Sequence, residues 1–106
     1  MKTIKVIRID YNEMDYIQFL NFEMESYQKI LGYILLEKTK GYEYSKENYE
    51  HFMDEYKEAH MKYSLAVLDL LDKYAPAYKG KEEYRVKFDF DLFRMVILGE
   101  GDEIED

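Results

Sequence analysis

The stretch YEHFMDEYKEAHMKYSLAVLDL, residues 49–70, sets Tyr49, Phe52, Tyr56, Ala59, Tyr63, Ala66 and Leu70 at steps of three and four. Such spacing keeps side chains on one stripe of an α-helix. Upstream, Ile17, Leu20, Met24, Tyr27, Leu31 and Ile34 obey the same rule. Between the two stripes, Thr39 to Tyr44 surround Gly41 and read as a turn, so the pair predicts a helical hairpin. Helix 1 is expected over about residues 12–38 and helix 2 over about 46–74, with Ser45 as a good N-cap. Pro76 ends the second helix, because an interior proline loses a hydrogen bond and collides with the preceding turn.

Outside the hairpin the period changes to two. Thr3 to Ile9 are β-branched and basic, the composition of a strand. Asp10 with Glu13, or Asn12 with Asp15, supplies a capping frame for helix 1. From Tyr84, the residues Tyr84, Val86, Phe88, Phe90 and Leu92 alternate with Arg85, Lys87, Asp89 and Asp91, and Phe93 to Leu98 are apolar again. One strand of about 15 residues would be unusually long, so two strands with a tight turn near Asp89 to Leu92 are expected, although neither Gly nor Pro marks it. The order β-α-α-β-β predicts an α+β fold: a long antiparallel helical hairpin packed on a small two- or three-stranded sheet. Residues 1–98 read as a single α+β domain, and 99–106 as an acidic, disordered tail that folding does not need.

The net charge of -8 belongs largely to that tail, which holds five of the 23 acidic groups and no base. The other 98 residues carry 15 basic against 18 acidic side chains. Lys2, Lys5, Arg8, Arg85, Lys87 and Arg94 fall in the strands, which predicts a positive outer face on the sheet. No basic cluster forms the footprint that phosphate neutralisation needs, so direct nucleic-acid binding is not expected. Zero cysteines exclude a disulfide scaffold, a thiolate zinc site and a cysteine nucleophile. No apolar run approaches the roughly 18 residues that span a bilayer, and a cytoplasmic location is expected.

Motifs for chemistry are missing. No Glu-x-x-His occurs, and Glu47, His51 and Asp54 fall on the face of helix 2 opposite its apolar stripe, so no metal is expected. His60 borders the stripe and reads as a packed histidine. Gly99-Glu-Gly101 has no helix after it to hold a phosphate, and no cofactor is expected. No serine or threonine sits in a nucleophile-elbow context, so the chain does not read as an enzyme.

The compositional excess is tyrosine, twelve residues of 106. Tyr27, Tyr49, Tyr56 and Tyr63 lie on the helix seams, whereas Tyr33, Tyr42, Tyr44 and Tyr78 lie off them or in turns, where phenols suit interfaces. Phe19, Phe22, Ile30, Leu35 and Leu36 widen the apolar surface of helix 1 beyond one seam. A helix of about 29 residues is about 43 Å long, whereas a seven-residue strand covers about 23 Å. The turn-proximal stripes therefore lack cover and call for a protein partner, as a homodimer or with a larger protein. The partner-binding residues expected are Tyr42, Tyr44, Tyr33, Leu35, Phe52 and Met53, with the helix face near Phe19 and Phe22 next in rank. The reading is a small accessory or regulatory protein that acts through its hairpin, of the size and acidity common among phage and mobile-element products. Two alternatives stand beside it. One is a small-ligand binder or enzyme with a pocket lined by Tyr56, His60, Tyr63 and Phe88; the other is an acidic inhibitor that mimics nucleic acid.

Overall fold

The computed structural model describes residues 1–39 and 46–104. Strand β1 (Lys2–Arg8) leads into helix α1 (Tyr11–Thr39); helix α2 (Lys46–Tyr74) is followed by a short 3-10 turn (Pro76–Tyr78), then strands β2 (Tyr84–Asp89) and β3 (Arg94–Gly99). This is the α+β order expected, with a three-stranded antiparallel sheet in the order β1-β3-β2. Two compact units divide the chain: residues 1–18 with 65–106, and residues 19–64.

The first unit contains the sheet. Central β3 buries every second residue, so Met95 and Ile97 are fully buried while Val96 and Leu98 on the other face are only half covered. Met14 and Ile17 of α1 and Leu70 and Leu71 of α2 are buried in the same unit. Each such side chain contributes about 2 kcal/mol. Asp10 caps α1: its carboxylate accepts the Asn12 N–H at 3.2 Å, and its carbonyl accepts the Met14 N–H at 3.0 Å. Glu13, in the first turn of α1, accepts hydrogen bonds from Lys73 Nζ at 3.2 Å and from the Tyr74 hydroxyl, both in the last turn of α2.

The β2–β3 turn works without glycine because Phe93 takes the left-handed conformation, at φ 53°. Its carbonyl accepts the Ile9 N–H at 2.8 Å, and its ring rests on Tyr11 with centroids 5.5 Å apart. Asp89 fastens the other side, accepting the Leu92 N–H at 3.2 Å and Arg94 Nη2 at 3.1 Å. The hydrogen bond from Arg94 holds the Asp89 carboxyl below the usual aspartate range, assisted by the Leu92 N–H. A depressed folded-state pKa gives stability that is full above the unfolded value, near 4, and lost as pH falls through the folded value. We predict that Asp89→Asn lowers the melting temperature at pH 6 and flattens its decline below pH 4. Parallel melting curves for parent and variant across pH 2–6 would show no role for the turn.

The chain after Gly99, which its composition assigns to solvent, makes contacts at Glu100, Asp102 and Ile104. Tyr84 donates from its hydroxyl to the Asp102 carbonyl at 2.8 Å, and the Ile104 N–H donates to the Tyr78 hydroxyl at 2.6 Å. Glu100 lies 3.2 Å from the Met1 amino group. Tyr78, expected at an interface, is instead 2% exposed, its ring edge-on to Tyr84 at 4.9 Å.

The second unit consists of the distal parts of both helices. Leu20, Leu31 and Ala59 are buried along the seams, with Met24, Tyr27, Ile34, Phe52, Tyr56 and Tyr63 half-buried beside them. Polar links run across the hairpin: the Tyr27 hydroxyl donates to Glu55 at 3.5 Å, and Gln28 Nε2 donates to the Tyr56 hydroxyl at 3.2 Å.

Candidate functional site

On α1, the side away from the Leu20–Tyr27–Leu31 seam is not a polar face. Phe19, Phe22, Ser26, Lys29, Tyr33 and Leu36 again step by three and four and fall within about 100° of arc. Four of them are large and exposed: Phe19 at 60%, Phe22 at 69%, Tyr33 at 64% and Leu36 at 49%. Single exposed apolar residues are ordinary, but three rings and a leucine aligned along one helix form a strip of two apolar pairs, Phe19 with Phe22 and Tyr33 with Leu36, about a polar centre of Ser26 and Lys29. Ser26 satisfies its hydroxyl within the helix by donating to the Phe22 carbonyl at 2.8 Å. This strip is the candidate contact surface.

The residues expected to bind a partner separate in the structure. Tyr33 belongs to the strip. Leu35 is 46% exposed but lies well round the helix from Tyr33, toward the seam. Phe52 and Met53 of α2 are half-buried, and Phe52 has the His51 ring edge-on at 5.2 Å. Tyr42 and Tyr44 lie outside the described residues. Phe19 and Phe22, second in rank from sequence, are more exposed than Leu35.

Of the residues expected to line a ligand pocket, Tyr56, His60 and Tyr63 belong to the second unit and Phe88 to the first. His60 is exposed rather than packed, tilted against Tyr56 at 5.9 Å between ring centroids. The seam phenols sit among carboxylates. Burial first, then Glu55 and Glu23, raises the Tyr27 hydroxyl above its ordinary value. Burial and then Glu25 do the same for Tyr63. A raised phenol stays protonated at neutral pH, and Tyr27 uses its proton to donate to Glu55.

In the first unit, the half-covered face of the sheet presents Val6, Val96 and Leu98 in its middle, with exposed Arg8, Arg85 and Lys87 around them. An open groove of about 570 Å³ there is lined by Thr3, Lys87, Asp89, Val96 and Leu98, among others. Asp89 neutralises Arg94, which leaves a modestly positive rim. Among the described residues, no three His, Asp or Glu side chains gather in a way that could hold a metal ion, and no helix is long and apolar enough to cross a membrane. No known protein family, curated protein or solved structure matches the chain.

Proposed function

We propose that the protein is a small cytoplasmic accessory or regulatory protein that binds another protein through its helical hairpin and performs no chemistry of its own. The observation that carries this reading is the strip of Phe19, Phe22, Tyr33 and Leu36, exposed on the helix side opposite a well-formed seam. Aromatic rings are enriched where proteins meet, because they bring large apolar area at low entropic cost. A ring in water does not help α1 to fold, since its own seam already provides the burial that holds it. The expected absence of a substrate pocket lined by titratable groups belongs to the same reading.

A tagged copy should retain a protein partner, either a different chain or an untagged copy of itself. Replacing Phe22 and Tyr33 together by serine should abolish retention while the far-ultraviolet circular dichroism stays unchanged, each lost ring weakening association by about 1–2 kcal/mol. Equal retention by parent and double variant would remove the strip from the contact.

A further inference from the structure

We propose that the occupant of this strip is a second copy of the chain, the two α1 helices running antiparallel about a two-fold axis between residues 27 and 28. The inference rests on the strip being a contact surface and names its partner.

A two-fold interface must be complementary to itself: whatever residue i touches on its partner touches residue i in return. In an antiparallel pair centred between 27 and 28, Phe19 faces the other copy's Leu36, Phe22 faces its Tyr33, and Ser26 faces its Lys29. The strip reads apolar, apolar, polar, polar, apolar, apolar from Phe19 to Leu36, so it is a palindrome in both spacing and character. Antiparallel pairing turns that palindrome into matched layers, as parallel pairing also would, and the charge at its centre decides between the two. Parallel pairing would set Lys29 against its own copy at the centre of the seam, where like charges repel. Antiparallel pairing sets Lys29 beside Ser26 instead, within one residue of the other copy's Glu25, and gives two equivalent charge pairs. The flanking acids also find no like charge: Glu25 faces Ile30, Glu23 faces Gly32 and Glu37 faces Gln18.

Gly32 supports the same arrangement independently. A glycine inside a helix costs about 1 kcal/mol relative to alanine. Nothing among the described residues explains it: a Cβ built there meets none of their atoms within 4 Å, and Gly32 is exposed and does not have a positive φ. In the proposed pair it sits beside Tyr33 and leaves a notch for the ring of the other copy's Phe22. The size is also adequate. At about 200 Å² per ring, the exposed parts of the three aromatics bring about 400 Å² per copy. With Leu36 and the Lys29 stem, the pair approaches the roughly 1,200 Å² total of the smaller stable interfaces.

The test uses the purified full chain alone. Light scattering should report a dimer at micromolar concentration. Phe22→Glu should weaken it by about 100-fold, and adding Tyr33→Lys to the same chain should restore it, because each glutamate then faces a lysine. The chain has no cysteine, so single cysteines accept spin labels cleanly. At 1.5 Å per residue, labels on Lys38→Cys should lie about 30 Å apart or more, and labels on Glu25→Cys much closer. A monomeric parent, a dimer indifferent to Phe22→Glu, a failed rescue, or short distances at both positions would overturn the proposal. If the parent is monomeric while the serine variant still loses a captured protein, the strip remains a contact surface and only its occupant changes.

Discussion

Replacing Ile97 by alanine should lower the unfolding free energy by about 3 kcal/mol, the usual loss when a large aliphatic side chain leaves a cavity that its neighbours cannot fill. Ile97 is fully buried in the central strand, paired with Lys5 on one side and Val86 on the other. Both neighbours are held by ladder hydrogen bonds, so the sheet has little freedom to collapse into the gap. For a domain of this length the loss amounts to a fall in melting temperature of more than about 10 °C. Val6 is the control. It lies in the adjacent strand and is 47% exposed, so Val6→Ala should cost well under 1 kcal/mol. Urea denaturation of the two variants measures the contrast, and equal losses would contradict the one-sided burial of β3.

Gly99→Val is the second substitution expected to do severe damage. A Cβ on Gly99 would lie 2.8 Å from Cδ1 of Tyr84 and 3.2 Å from the Glu83 carbonyl oxygen. The ring could swing away, but the carbonyl is backbone and cannot. The same ring reaches the Gly101 position through its hydroxyl and donates to the Asp102 carbonyl. Displacing it therefore frees the following segment as well as the strand end, and overpacking of this kind costs about 2–3 kcal/mol. Gly32→Ala, where a Cβ meets open space, should instead stabilise the monomer by about 1 kcal/mol. Thermal melts moving in opposite directions, with Gly32→Ala compared in a Phe22→Glu background that holds both chains monomeric, would check both assignments.

The helices were legible because a 3-4 spacing has one physical meaning when it runs through six successive apolar positions in α1 and seven in α2. Leu20, Leu31, Ala59 and Leu70 are buried where that spacing puts them. The β2–β3 turn was legible from strand length but not from its residues, since a phenylalanine occupies the left-handed position that glycine usually takes. Tertiary packing decides that position: the Phe93 ring contacts Tyr11, which lies at the other end of the sequence. Tyr78 misled for a similar reason. Its place after Pro76 looks like an exposed turn, whereas its burial depends on Tyr84 and Ile104, residues that periodicity does not connect to it. At the candidate surface, the composition of α1 showed an excess of apolar residues. Which of them face water became clear only from burial, because Leu35 and Leu36 are adjacent in sequence and lie on different sides of the helix.

The strand order also carries a consequence for the order in which the protein can be made. β1 has one sheet neighbour, β3, and both helices lie between them in the chain. During synthesis β1 therefore waits, with its edge unpaired, until residues 94–99 have emerged. Residues 19–64, by contrast, belong to a compact unit of their own and emerge much earlier. Vectorial synthesis should thus give a helical intermediate that can meet a partner before the sheet exists. Its lysines and arginine at Lys2, Lys5 and Arg8 would guard the waiting strand against pairing with another nascent chain. Hydrogen exchange on ribosome-bound chains stalled before β3 should show protected α1 and α2 amides beside unprotected β1; protection of β1 at that stage would refute this order.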